Sequence, residues 1–168
     1  MRTTYGMTEH ASQIATEKKG RGGLEPLAGV SLRIEDGEIM VRSSQLAAGY
    51  YRGGTLEALP LRDGFFATGD LGELAAGKLV VKGRKSEVIV TGARKVHPLE
   101  VETELARLEN VRDCAVLGLP DPEWGEVICA AVVADSSFDP ASARERLRSQ
   151  LEGFQVPKIW VRLPMIPR

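Results

Sequence analysis

The first half of the chain is built from short apolar runs broken by turn residues. Residues 30–34 (Val-Ser-Leu-Arg-Ile) and 38–42 (Glu-Ile-Met-Val-Arg) flank Asp36-Gly37, a pairing that predicts a hairpin with a tight turn. Residues 65–67 (Phe-Phe-Ala) and 78–82 (Lys-Leu-Val-Val-Lys), separated by Ala75-Ala76-Gly77, extend the strand pattern, so this part reads as a small barrel or sandwich. Residues 17–29, rich in glycine and charge and lacking a Gly-Lys-Ser/Thr ending, read as a solvated loop.

Beyond Glu87 the period changes. A strand over 87–91 leads to His97-Pro98, and Pro98 suits the first turn of a helix in which Val101, Leu105 and Leu108 share a face, with Glu100 and Glu102 near the positive end of its dipole. Apolar strands over 113–118 and 127–133 follow. Asp139-Pro140 then opens a second amphipathic helix carrying Ala143, Leu147 and Leu151, with Gly153 placed to end it, and residues 159–161 form a last strand. The fold class is α+β, with a boundary near residue 85 that divides a β-rich part, 1–85, from a small α+β domain, 86–168.

Composition narrows the function classes. A chain of 168 residues can bury roughly 70% of its unfolded surface, and 43% hydrophobic with 27% charged residues describes a packed globular protein. A net charge of -1, without a basic stripe, gives nucleic acid no electrostatic attraction. The longest apolar stretch, residues 127–134, falls well short of the ~20 residues that cross a bilayer. Residues 1–15 lack a secretory apolar core, and Cys114 and Cys129 sit in apolar runs as buried, unreactive thiols; together these point to the reducing cytoplasm.

Candidate chemistry lies in four polar signatures. Tyr5-Gly6-Met7-Thr8-Glu9 sets an aromatic ring, a hydroxyl and a carboxylate within five residues, a kit for stacking a base, bonding a phosphate and holding magnesium; a buried tyrosine beside an exposed Thr-Glu turn is the plain alternative. Thr68-Gly69-Asp70-Leu71 offers a carboxylate able to accept two hydrogen bonds from a ribose diol, although many turns look alike. Gly83-Arg84-Lys85-Ser86 adds a guanidinium able to reach ribose or phosphate oxygens, or simply an exposed strand-end arginine. The fourth is Thr91-Gly92-Ala93-Arg94-Lys95-Val96. His10 and His97 have no partner spacing for metal or triad chemistry.

In this order and at these separations the signatures resemble the adenylate-forming superfamily of acyl-CoA ligases, luciferases and peptide-synthetase adenylation domains. The resemblance spans the chain, including Gly37-Glu38-Ile39, Gly49-Tyr50, residues 120–126 (Pro-Asp-Pro-Glu-Trp-Gly-Glu) and 155–158 (Gln-Val-Pro-Lys). Residues 7–13 and 91–98 look most like the acid-CoA ligases of menaquinone synthesis, which act on an aromatic keto acid. The resemblance implies that Tyr5 stacks on adenine, Thr8 touches the α-phosphate, Glu9 holds Mg2+, Asp70 bonds the ribose hydroxyls and Arg84 assists there. Gly6 and Met7 would wall the acyl pocket, Ser86 would be the hinge on which a small C-terminal domain swings, and Gly92 and Lys95 would lie along CoA, as would Trp124-Gly125. ATP and CoA are the implied co-substrates and a small carboxylic acid the substrate. Ala93 stands where relatives often carry a second glycine.

The same resemblance places a pyrophosphate-gripping loop before Met1 and a catalytic lysine in a Gly-Lys motif after residues 164–168 (Pro-Met-Ile-Pro-Arg); Lys158 matches a different segment. The expectation is that residues 1–85 form the end of a large AMP-binding domain, that 86–168 form most of the small mobile one, and that the chain alone does not make acyl-AMP. Another aryl or fatty acid-CoA ligase, a carrier-loading adenylation domain and a non-catalytic nucleotide-binding module are the alternatives.

Overall fold

A computed structural model describes residues 3–18 and 23–167 and divides the chain into two compact units, Met1–Lys85 and Ser86–Arg168. In the first unit β1 (Thr4–Tyr5), β2 (Ala15–Thr16) and β3 (Glu25–Pro26) make a small three-stranded sheet. Strands β4 (Ser31–Glu35) and β5 (Glu38–Arg42) form the expected hairpin, with Asp36 and Gly37 both at positive φ, as a two-residue turn requires. Next come β6 (Gly49–Arg52) and β7 (Thr55–Ala58), a two-stranded ribbon, then β8 (Leu61–Arg62), β9 (Phe65–Ala75) and β10 (Lys78–Arg84). The main antiparallel sheet runs β10-β9-β5-β4, with β8 also on β9; among the described residues β4 and β10 do not pair to close it as a barrel.

The segment expected to be a solvated loop is partly structural. Glu25–Pro26 pairs with Ala15–Thr16, and Leu24, buried, bridges Leu79 by two backbone hydrogen bonds of 2.8 Å. Proline is accepted there because a two-residue strand asks little of its missing N–H. Residues 19–22 of that segment lie outside the described residues. Ile14, Ile39, Val41, Phe66 and Leu79 form this unit's core, onto which Tyr5 and Met7 pack. Each fully buried aliphatic side chain there contributes about 1.5–3 kcal/mol.

The second unit is α+β. It contains β11 (Ile89–Thr91), β12 (Arg94–Val96), α1 (Pro98–Leu105), β13 (Val111–Asp121), β14 (Gly125–Ala134), α2 (Pro140–Arg148) and β15 (Ile159–Arg162). The sheet order is β12-β11-β14-β13, with β15 parallel to β14. Both helices begin at their prolines, and Asp139 caps α2 by accepting from the N–H groups of Ala141 and Ser142. Val101, Leu105, Ala143 and Leu147 bury against Ile128, Ala130 and Val132, so the apolar faces read from the sequence do meet a sheet.

Two helix limits differ from expectation: Leu108 and Leu151 pack on the core from beyond the helix ends. Gly153 does not end α2; Ser149, in right-handed conformation, is its C-cap, and its hydroxyl donates to the Arg146 carbonyl at 2.7 Å. A serine that satisfies a terminal carbonyl stops the helix without a left-handed residue. No helix among the described residues is long and apolar enough to cross a membrane.

Candidate functional site

The Thr68-Gly69-Asp70 signature lies inside β9, not in a turn. Glu38 pairs with Leu71 and Met40 with Ala67, so three residues of β9 stand opposite Ile39 alone. This bulge puts Gly69 at φ 75, a conformation that glycine adopts without strain. The distorted backbone is held by side chains. Thr68 Oγ1 donates to the Ile39 carbonyl at 2.8 Å and accepts from the Asp70 N–H at 3.1 Å, while Glu38 accepts from the Gly69 N–H at 3.0 Å. A second bulge on β10, with Gly83 at φ 124, brings Arg84 opposite Asp70.

The two bulges converge on Tyr5. Its Oη donates to Asp70 Oδ2 at 2.7 Å, and Arg84 Nε lies 3.1 Å from Asp70 Oδ1 while its Nη1 donates to the Thr68 carbonyl at 3.2 Å. Asp70 is 7% exposed and Arg84 is open to solvent. Burial of the Tyr5 ring pushes its phenol well above the ordinary tyrosine value; the neighbouring Asp70 carboxylate adds to this, and the Thr68 hydroxyl and Arg84 act in the opposite sense. Tyr5 is therefore a neutral donor at physiological pH, and the group offers an aromatic ring, a buried carboxylate and a guanidinium in one place.

Thr8 and Glu9 occupy a short 3-10 helix, Thr8–His10. The Glu9 carboxylate accepts from Tyr50 Oη at 2.7 Å and its carbonyl accepts from the Ala47 N–H at 2.8 Å. Gly6 is fixed by its own loop: a Cβ there would stand 1.4 Å from the Ser12 carbonyl oxygen. Met7 is half-buried against the first unit's core. His10 is fully buried with Nε2 2.7 Å from Ser43 Oγ, a packing role.

Ser86 is exposed, in the 3-10 turn Lys85–Glu87 where the two units divide. Just before it, Lys85 Nζ donates to Glu38 Oε2 at 2.9 Å. That bond holds the Glu38 carboxyl below the ordinary carboxylate range, with burial opposing it and the Gly69 N–H assisting. In the second unit, Gly92 (φ 54) and Ala93 (φ 62) form the β11–β12 turn, and the Gly92 N–H donates to the Trp124 carbonyl at 2.9 Å. A Cβ on Gly92 would come within 2.9 Å of the Trp124 indole, so glycine is needed for that packing. Trp124 is itself 42% exposed, under the Lys158 ammonium at 3.8 Å. Lys95 is exposed on β12. A cavity of about 430 Å3 in the second unit, lined by Asp135, Asp139 and Arg146 among others, holds none of the signature residues.

Thr68, Glu38, Lys85 and Tyr50 were given no role by the sequence. The one available signal was Glu38, a carboxylate directly before the apolar run Ile39-Met40-Val41, a place where an acid is buried only with partners.

Comparison with known proteins adds identity to this geometry. Residues 100–168 match the family described as AMP-binding enzyme C-terminal domain. The chain is 36% identical over 164 residues to the 2-succinylbenzoate--CoA ligase of Listeria monocytogenes serotype 4b (strain F2365), covering 92% of the chain and 35% of that protein. It is 38% identical over 174 residues to the feruloyl-CoA synthase of an Amycolatopsis species, covering 92% and 35% respectively. Among solved structures, the o-succinylbenzoate CoA synthetase of Bacillus subtilis in complex with the acyl-adenylate intermediate OSB-AMP superimposes with a TM-score of 0.88 at 31% identity, over 99% of this chain and 38% of that one. The same enzyme with ATP and magnesium ion gives 0.86 at 30% identity, over the same shares. The chain thus spans little more than a third of the length of these relatives.

Proposed function

Because the chain belongs to the adenylate-forming enzymes, we propose that it is part of an ATP- and Mg2+-dependent acid-CoA ligase, most like the o-succinylbenzoate enzyme of menaquinone synthesis, acting in the cytoplasm. The observation that carries the reading is the convergence of Tyr5, Asp70 and Arg84, 65 and 14 residues apart, on one carboxylate. In this reading Asp70 accepts from the ribose hydroxyls, Arg84 supports them, the Tyr5 ring packs on adenine and Thr8 bonds the α-phosphate. Gly6 and Met7 border the acyl group. Ser86 is the hinge between residues 1–85, the end of the large AMP-binding domain, and residues 86–168, the small mobile one. Gly92 and Lys95 lie along CoA.

The donor set suits magnesium. That ion takes one or two carboxylates and completes its shell with water and substrate phosphates, and Glu9 beside the Thr8 hydroxyl supplies such hard oxygens. Among the described residues no group of three or more His, Cys, Asp or Glu is placed to hold a metal by itself, in keeping with a site that shares its ion with a nucleotide. Bound there, magnesium would neutralise phosphate charge. The chain's own residues orient the nucleotide: Tyr5 stays protonated, and Asp70 is held by two donors so that its carboxylate meets the ligand in one direction.

Formation of o-succinylbenzoyl-CoA from the acid, ATP and CoA by the whole protein, with AMP and pyrophosphate as co-products, tests this function. The Amycolatopsis relative supports a second reading, a ligase for another aromatic acid. Thioester formation with ferulate and not with o-succinylbenzoate would select it. In this reading the 168 residues by themselves are expected to release no pyrophosphate from ATP.

A further inference from the structure

We propose that Tyr50 is a positioning residue for the Glu9 carboxylate, holding one oxygen so that the other is presented to a divalent cation in a fixed direction. This rests on the reading of Glu9 as the magnesium carboxylate. Residues 47–50 grip Glu9 twice: the Ala47 N–H bonds its carbonyl at 2.8 Å and Tyr50 Oη donates to Oε1 at 2.7 Å. Backbone and side chain of one residue are thereby tied to one short segment. A glutamate otherwise samples several rotamers, and restricting them before the ligand arrives lowers the entropy cost of binding.

Tyr50 is itself well placed for this. Gly49 lets the two strands of the β6–β7 ribbon approach so closely that a Cβ would sit 2.0 Å from the Glu57 carbonyl oxygen, and Tyr50 faces Glu57 in register. The Arg52 guanidinium lies 5.6 Å from the centre of the Tyr50 ring. With 36% exposure, Tyr50 is no core residue, and its hydroxyl is spent on Glu9. A phenol can donate only one hydrogen bond, so Oε2 is left for a cation. Supporting hydrogen bonds of this kind orient metal ligands and tune affinity.

The test uses the whole protein with ATP, taking Mn2+ as the metal probe and reading free Mn2+ by electron paramagnetic resonance. Metal-free AMP binding and the melting temperature are measured alongside. Tyr50→Phe keeps the ring and removes the donor; the expected result is a roughly tenfold rise in half-saturating Mn2+, with AMP affinity and melting temperature unchanged. Unchanged Mn2+ affinity in Tyr50→Phe, with loss in Glu9→Gln, overturns the positioning role alone. No change in either variant overturns the assignment of Glu9 itself. A parallel fall in melting temperature and AMP affinity would make Tyr50 a structural support and also refute the proposal.

Discussion

Tyr5 Oη donates to Asp70 Oδ2 at 2.7 Å, joining the chain's first described strand to the bulge in β9. The phenol is held above its ordinary value of about 10 first by burial and then by Asp70. A raised folded value favours the neutral form, so the stabilisation is complete below pH ~10 and is lost as pH climbs toward the folded value. Urea unfolding between pH 8 and 11 should show stability falling on the alkaline side in the wild type, and a flatter limb in Tyr5→Phe. Tyr5→Phe should also cost about 1.5–3 kcal/mol at neutral pH, the range for a hydrogen bond to a charged group.

Glu38 joins the Gly69 bulge to Lys85, the residue before the proposed hinge. Its folded value is depressed, so its contribution is present above the ordinary carboxylate range and disappears as pH falls through the folded value. Lys85 is solvent-exposed, which limits the ion pair to about 1 kcal/mol or less. Glu38→Gln should flatten the acid limb of stability between pH 5 and 3 relative to wild type, read by chemical unfolding at each pH.

Gly6 has a steric reason to be glycine. The Ser12 carbonyl occupies the place of a Cβ, so Gly6→Ala must displace the loop that carries Thr8 and Glu9. A stability loss of at least about 2 kcal/mol is expected, together with weaker nucleotide binding. Calorimetric melting and AMP titration of the variant check both.

The two thiols should be inert. Burial, reinforced by Glu102 and Asp113, raises the Cys114 thiol to about 11, and burial raises Cys129 as well. Since the thiolate is the reactive form, native protein at pH 7.5 should react with a disulfide reagent far more slowly than the unfolded chain. Rapid modification of either cysteine in the folded state would contradict the packing described.

The hairpin at Asp36-Gly37, the proline starts of both helices and the division at Lys85–Ser86 were legible, because turn chemistry, capping and hydrophobic period are local. The bulge at Thr68-Gly69-Asp70 was not. In sequence it looks like a turn, and only the pairing of Ile39 against three residues, set by strands nearly 30 residues away, makes it a distortion within β9. The strand at Glu25–Pro26 was hidden by its glycine-rich surroundings, and the end of α2 by the assumption that Gly153 was needed. Of the Tyr5, Asp70 and Arg84 group, the residue types were visible but their meeting was not: each motif alone fits an ordinary turn or strand end, and it was their order, matched to a family, that joined Tyr5 to Asp70 and Arg84. The Tyr50–Glu9 bond, spanning 41 residues, had no local signature.

The central claim is that Asp70, braced by Tyr5 and Arg84, is the acceptor for a nucleotide's ribose. Titration calorimetry of AMP into the whole protein and its Asp70→Asn variant tests it most directly, since the substitution keeps the shape and removes the charge. The expected result is measurable binding to wild type and a loss of at least tenfold, about 1.4 kcal/mol, in the variant. Equal affinity in both would contradict the account.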